Sequence, residues 1–176
     1  MIERVRWFER KFSFDSLPVQ MYPNVVERVR GTPARLEELS RALSPELLTR
    51  RDDGRWSAQE QAGHLLDLEP LGIIRLDDYE AGRETLHAAD LENRKTHEAN
   101  HNAGSIENIL AAFRAERMEL VRRLDEYDEA FVQRSALHPR LGMGFRVLDL
   151  VFFVAEHDDH HLARISELIR AFAKQV

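Results

Sequence analysis

The sequence predicts an all-α fold, a four-helix bundle. Three observations lead there. Glycine and proline are sparse, 8 and 6 of 176 residues. Long stretches carry apolar residues at the 3.6-residue period of a buried helix face, and few segments read as strand. Four such stretches are long enough to be main helices, the number a bundle needs, and bundle cores are where facing side chains build metal sites. One domain is expected over residues 1–176, with its core at about 20–172 and residues 1–16 as an N-terminal extension.

The first helical region spans about Leu17 to Leu43. A break is expected near Gly31, with Thr32 as a new N-cap and Pro33 at the first helical position. Leu36, Leu39 and Leu43 then form a stripe, Ser44-Pro45-Glu46 starts a short turn of helix, and Arg50 to Arg55 is a polar loop. The second helix has the clearest start. Ser57-Ala58-Gln59-Glu60 is a capping box, in which hydroxyl and carboxylate satisfy orphan amides reciprocally, and Trp56 stands in the staple position before it. This helix runs to about Glu80, with a kink expected at Pro70, whose ring clashes with the preceding turn. Residues 83–104 are polar and aperiodic, as functional lids, binding loops and mobile segments are. The third helix, about Ser105 to Asp128, carries Ile106, Ile109, Leu110, Phe113, Leu120, Val121 and Leu124 on one face. A loop with Pro139, Gly142 and Gly144 leads into the fourth, about Phe145 to Ala173.

Lys and Arg total 25 against 31 Asp and Glu, a net charge of −6. Mild acidity argues against a nucleic-acid partner, because phosphate neutralisation needs a basic face. With 43% apolar and 32% charged residues the chain has the composition of a globular domain. No apolar run reaches the about 18 residues that would span a membrane. The start, MIERVRWFERKFSF, is too charged for a secretory signal, so the cytoplasm is the expected location. Cysteine is absent, which excludes disulfides, a thiolate nucleophile and sulfur ligands. Eight histidines remain.

Glu156-His157-Asp158-Asp159-His160-His161 lies in the fourth helix. Residues four apart share a helix face, so His157 and His161 point at one place, on or beside the apolar stripe of Leu150, Val154, Ile165, Leu168 and Phe172. His160 falls further out. Imidazoles on a core stripe need partners for their nitrogens, and either a metal or hydrogen-bonding neighbours can supply them. His64 sits at the edge of the second helix's apolar face, beside Leu65, Leu68 and Leu71. With His157 and His161 it could complete a three-histidine site whose fourth position stays open, a catalytic pattern for zinc. His97-Glu98-Ala99-Asn100-His101 matches H-E-x-x-H, but its flanks have no stripe to bury, so we read it as chance spacing and place it at the rim of the pocket. Asp158, Asp67, Glu60 and Glu69 are the nearby carboxylates that could orient imidazoles; Asp158 and Asp67 read equally well as solvated. Arg117, on the third helix's stripe, reads as a buried ion-pair partner rather than a substrate clamp.

These residues resemble a known family. Trp56-Ser57 through Glu60, His64-Leu65, Asp67 and Glu69 follow the W-S-x-x-E-x-x-x-H-L-x-D-x-E element of the DinB-like superfamily, and His157 to His161 its C-terminal H-x-x-x-H element. Gly31 to Leu36 and Phe113 to Arg117 are similar to members of the same group, so the likeness covers about residues 20–172. It implies an up-down-down-up four-helix bundle with a divalent metal on His64, His157 and His161. Zinc is the simplest ion, and an all-imidazole site also suits nickel, copper, iron and cobalt. The resemblance further implies a homodimer acting on a small molecule, either as a metal-dependent hydrolase or as a transferase of thiols such as bacillithiol or mycothiol. Without cysteine, any such thiol is a cosubstrate. The alternatives are a non-catalytic metal-binding or stress-related interaction module and, last, a metalloprotease on His97, Glu98 and His101, which requires a regular helix over about 93–103.

Overall fold

The computed structural model describes residues 3–174. In chain order the helices are α1 (Tyr22–Arg41), α2 (Pro45–Leu48), α3 (Ala58–Glu80), α4 (Arg94–Glu98), α5 (Ile106–Asp125), α6 (Glu129–Val132) and α7 (Val147–Ala173). The four long ones, α1, α3, α5 and α7, form the bundle. The capping box of α3 is realised: Ser57 Oγ accepts from the Glu60 amide at 3.1 Å and the Glu60 carboxylate accepts from the Ser57 amide at 2.9 Å. Ser105 caps α5 by accepting from the Asn108 amide.

Side-chain pairings fix the directions. Glu69 meets Arg117, Gly72 faces Leu120, and Glu80 meets Arg123, so α3 and α5 run parallel. Gln61 meets His161 and Tyr79 reaches Phe145, so α7 is antiparallel to α3. Tyr22 reaches Leu124 and Glu37 meets Arg114, so α1 is antiparallel to α5. The order is up-down-down-up.

Parallel neighbours need a return segment, and residues 83–104 supply it. His87 bonds Asp78, Thr96 bonds Asp67, and Asn102 bonds Ser57, so the segment descends along α3. The aperiodic stretch is thus a packed strap containing α4 and a 3-10 turn at His101–Ala103.

Three expectations need correction. α1 does not break at Gly31; it continues through Pro33. Proline removes the N–H that would bond the carbonyl four residues back. That carbonyl, Val29 O, instead accepts from Arg117 Nη1 at 3.0 Å, while the Thr32 hydroxyl donates to Asp158 rather than capping. The loop before α7 contains an antiparallel hairpin, β1 (Ser135–His138) with β2 (Met143–Arg146), in which Ala136 faces Phe145. Ala136, His138 and Phe145 are buried while Ser135, Leu137 and Gly144 are exposed, an alternation too short to stand out. The fourth helix accordingly starts at Val147, not Phe145. Finally, residues 1–16 are not wholly outside the core: Phe14 is buried edge-on against Phe145. Trp7 packs on Phe12, Phe153 and His157, with ring centroids 4.9 to 5.2 Å apart. Arg4 pairs with Glu167 and Arg10 with Glu156, fastening this segment along α7.

The core has two apolar halves. One holds Val29, Leu76, Leu124, Phe145 and Leu148; the other holds Leu36, Leu65, Phe113, Ile165 and Leu168. Between them each long helix contributes a buried polar residue: Thr32, Glu69, Arg117 and Asp158. Arg117, 1% exposed, donates to Glu69 at 2.6 and 2.9 Å and to Asp158, which also accepts from Thr32 at 2.7 Å. Burial lowers the guanidinium's proton affinity, but the charges of Asp158 and Glu69 outweigh it, so Arg117 is held firmly charged.

Candidate metal centre

The polar layer continues into a cluster of imidazoles. His64 projects from the second turn of α3, and His157 and His161 project one turn apart from α7, which runs antiparallel to it. One nitrogen from each lies within 4.8 Å of the others. His161 Nε2 is 3.1 Å from His157 Nε2. A tetrahedral ion with metal–nitrogen bonds of about 2.0–2.1 Å sets its ligand nitrogens about 3.3 Å apart. The pair on α7 already stands near that separation.

Outer hydrogen bonds determine which nitrogens face inward. Gln61 donates its amide to Trp56 O at 3.5 Å and turns its oxygen to His161 Nδ1 at 2.6 Å. His161 Nδ1 therefore carries the proton, and Nε2 keeps its lone pair. The Thr96 hydroxyl donates to Asp67 Oδ2 at 2.9 Å, so it accepts from His64 Nδ1 at 3.1 Å and leaves His64 Nε2 as the free lone pair. Asp67 Oδ2 also accepts from His101 Nε2 at 2.8 Å. Such outer partners fix the tautomer of ligating imidazoles and raise their basicity. Burial, then the neighbouring His157, pushes His64 down to about 3. Burial, then His160, pushes His157 to about 3. His161 lies well below its ordinary value for the same reason, burial first. All three are neutral at neutral pH, the state a metal requires. The donor set therefore fits a divalent ion.

The cluster stands in the wall of a cavity of about 510 Å³. Trp56 packs against His64 at 4.7 Å between ring centroids, and Trp7 covers His157 from the other side. Leu68, Leu71, Leu150 and Phe153 supply apolar lining.

The remaining candidates fall elsewhere. His160 packs edge-on against His161, with ring centroids 5.4 Å apart, but its nitrogens turn to Arg4 at 2.7 Å and are not among those that converge. His97 is at the rim, exposed and 5.5 Å from Trp56 between centroids. The helix that a His97-Glu98-His101 protease site requires is broken, because Asn100 is left-handed at φ 49°. Glu60 caps α3 and pairs with Arg51. Glu69 and Asp158 belong to Arg117, as the ion-pair reading of that arginine expects. Asp158 is buried, not solvated; Asp67 is largely shielded and reaches His64 only through Thr96. Gln61 and Thr96 were missed in the sequence. Gln61 stands one turn before His64 on the same face, a signal that could have found it. Thr96 lies in the aperiodic strap and gives none.

A model of the DinB superfamily matches residues 28–165. The chain belongs to the DinB superfamily. Among solved structures this DinB-superfamily chain is similar to YfiT from Bacillus subtilis, described as a probable metal-dependent hydrolase with an unusual four-helix bundle topology. The match has a TM-score of 0.83 at 17% identity, covering 93% of this chain and 94% of that one. It is also similar to a mycothiol-dependent maleylpyruvate isomerase, with a TM-score of 0.66 at 12% identity over 87% of this chain and 62% of the isomerase. At these identities the likeness shows the fold. Among curated proteins none matches the chain.

Proposed function

We propose that this DinB-superfamily protein is a metal-dependent enzyme whose divalent ion, zinc in the first instance and nickel or iron as alternatives, is held by His64, His157 and His161. The observation that carries the reading is the convergence of three neutral imidazoles on one wall of a cavity large enough for a small molecule. Three neutral ligands leave the ion's charge undiminished, so when bound it acidifies water or a thiol in its open position. The chain's own residues do the positioning. Gln61 and Thr96 hold two ligands in the required tautomer, and Trp56 and Trp7 keep bulk water from the imidazoles.

Hydrolysis of a small molecule is the first reading, in keeping with the description of YfiT. Transfer of a low-molecular-weight thiol is the second, and one observation favours it. Glu69 and Asp158, the buried carboxylates in the cavity wall, are both bound to Arg117, which leaves neither free to take a proton from water. A coordinated thiol is deprotonated without such a base. The resemblance also suggests a cytoplasmic homodimer, for which sedimentation velocity is the check on assembly.

Elemental analysis of untagged protein tests the reading, alongside His64→Ala, His157→Ala and His161→Ala. About one equivalent of metal, lost in each variant with helix content kept, is expected. Folded, metal-free protein that gains nothing from added zinc, nickel or iron would instead favour a non-catalytic interaction module. Hydrolytic substrates, then thiols with electrophiles, separate the two chemistries.

A further inference from the structure

The same cavity carries a second cluster that the metal reading does not use. Arg75 stands on α3, His138 on β1 and Arg140 in the β1–β2 turn, and all three line the cavity. His138, 2% exposed, accepts at Nδ1 from the amides of Arg140 and Leu141, each at 3.2 Å. Its proton is therefore on Nε2, and that buried N–H has no acceptor. Arg140 Nη2 is buried without an acceptor as well. Arg75, 5% exposed, donates only from Nε, to His87 O at 3.0 Å. Asp78, one turn along α3, is taken by His87 and Arg83. Among the described residues no carboxylate pairs with Arg75 or Arg140.

Arg117 provides the contrast within the same molecule: a buried guanidinium here is given two carboxylates. Burial depresses the proton affinity of all three guanidiniums, but only in Arg117 do paired carboxylates reverse the outcome; Arg75 and Arg140 stay below their ordinary value. The aromatic faces of Phe8 and Phe153, each 5.4 Å from Arg140 Cζ, compensate its charge in part. Water can satisfy the N–H groups but supplies no counter-charge, and the one carboxylate that acts on Arg75 through space, Asp78, is bonded to His87 and Arg83 instead. The groups on offer are donors only, so what complements them is an oxygen-rich anion.

We propose that Arg75, His138 and Arg140 form an anion subsite that holds the carboxylate or phosphate head of a small, otherwise apolar substrate. Calling that ligand a substrate rests on the metal-enzyme reading; the subsite itself does not. Phe153, under Arg140, is one helical turn from His157, about 6 Å along α7. The reacting bond is therefore a few bonds from the anionic head.

The test is calorimetric titration of the full chain, stripped of metal by chelation, with hexanoate, hexyl phosphate and hexanamide. At least one of the two anions should bind about tenfold more tightly than the neutral amide, and the tighter anion names the head group. Arg140→Gln should weaken anion binding about tenfold and leave the amide unchanged, with Arg140→Lys in between. Arg75→Gln should act alike. Arg140 is only partly buried and sits in a turn, so it carries the test if the buried Arg75 variant does not fold. Equal affinity for amide and anions, no binding of any probe, or wild-type affinity in Arg140→Gln would overturn the subsite. Anion binding that appears only after metal is restored would overturn it too, because the ion would then be the receptor. Protein that never takes up metal yet binds the anion would sink the metal reading alone.

Discussion

Replacing Thr96 by valine isolates one atom of the support around His64. The two side chains have the same shape, and Thr96 is 5% exposed, so packing is preserved. The hydroxyl that accepts from His64 Nδ1 at 3.1 Å and donates to Asp67 at 2.9 Å is lost. His64 is 3% exposed, so its N–H finds no water in exchange. An unsatisfied buried donor costs about 1–3 kcal/mol. Loss of an outer partner of a metal ligand typically lowers metal affinity about 10–100-fold, or about 1.4–2.7 kcal/mol. The two figures, reached separately, overlap. Competition with a chromophoric zinc chelator should therefore show the apparent Kd raised about 10–100-fold in Thr96→Val. Stoichiometry and circular dichroism should be unchanged, and Thr96→Ser should behave as wild type. A Kd within about twofold of wild type would refute the argument, since His64 would then owe neither its tautomer nor its orientation to Thr96.

A Cβ built on Gly63 would lie 2.3 Å from the His101 ring, so Gly63→Ala should displace His101 from Asp67 and weaken zinc affinity in the same assay, with the helix retained. Arg117→Met leaves Glu69 and Asp158 buried without a counter-charge; a loss of about 3–5 kcal/mol, or roughly 6–20 °C in thermal midpoint, is expected by calorimetry. The metal-free protein should lose stability on acidification. His64 is held at about 3 and His138 at about 4, both chiefly by burial, whereas the unfolded chain protonates histidine near 6.5. Their contribution is present above pH 6.5 and falls as pH drops towards 4, by up to about 1.4 kcal/mol per pH unit for each, measurable by urea titration.

The sequence made the bundle and the histidine cluster legible because both follow helical periodicity. Spacing alone put His157 and His161 on one face, and the capping box fixed where α3 begins and so the height of His64. The misses share a cause. Pro33 reads as a helix start because the remedy for its missing N–H is Arg117, on another helix 84 positions later in the chain. The strap over residues 83–104 has no period of its own, since it is held by side-chain bonds to α3 and by backbone bonds of Glu84 and Leu86 to Leu137 rather than by a buried stripe. His138 and Arg140 sit in a hairpin of two four-residue strands, and Trp7 in the N-terminal segment. Which of these lines a cavity is decided by tertiary contact, and sequence spacing does not record it.

The way the N-terminal segment is attached bears on how a substrate search should be run. Its middle is stuck down by rings, Trp7 and Phe12 on Phe153, while Arg4 on one side and Arg10 on the other are tied by partly exposed ion pairs. Dissolved electrolyte screens the second kind of fastening, whereas the first is strengthened only by excluded salts such as sulfate. At about 0.1 M ionic strength the screening length is already near 10 Å. The hold of this segment on the cavity wall is therefore expected to vary with the buffer as well as with the protein, and a substrate screen run at a single ionic strength samples only one setting of it.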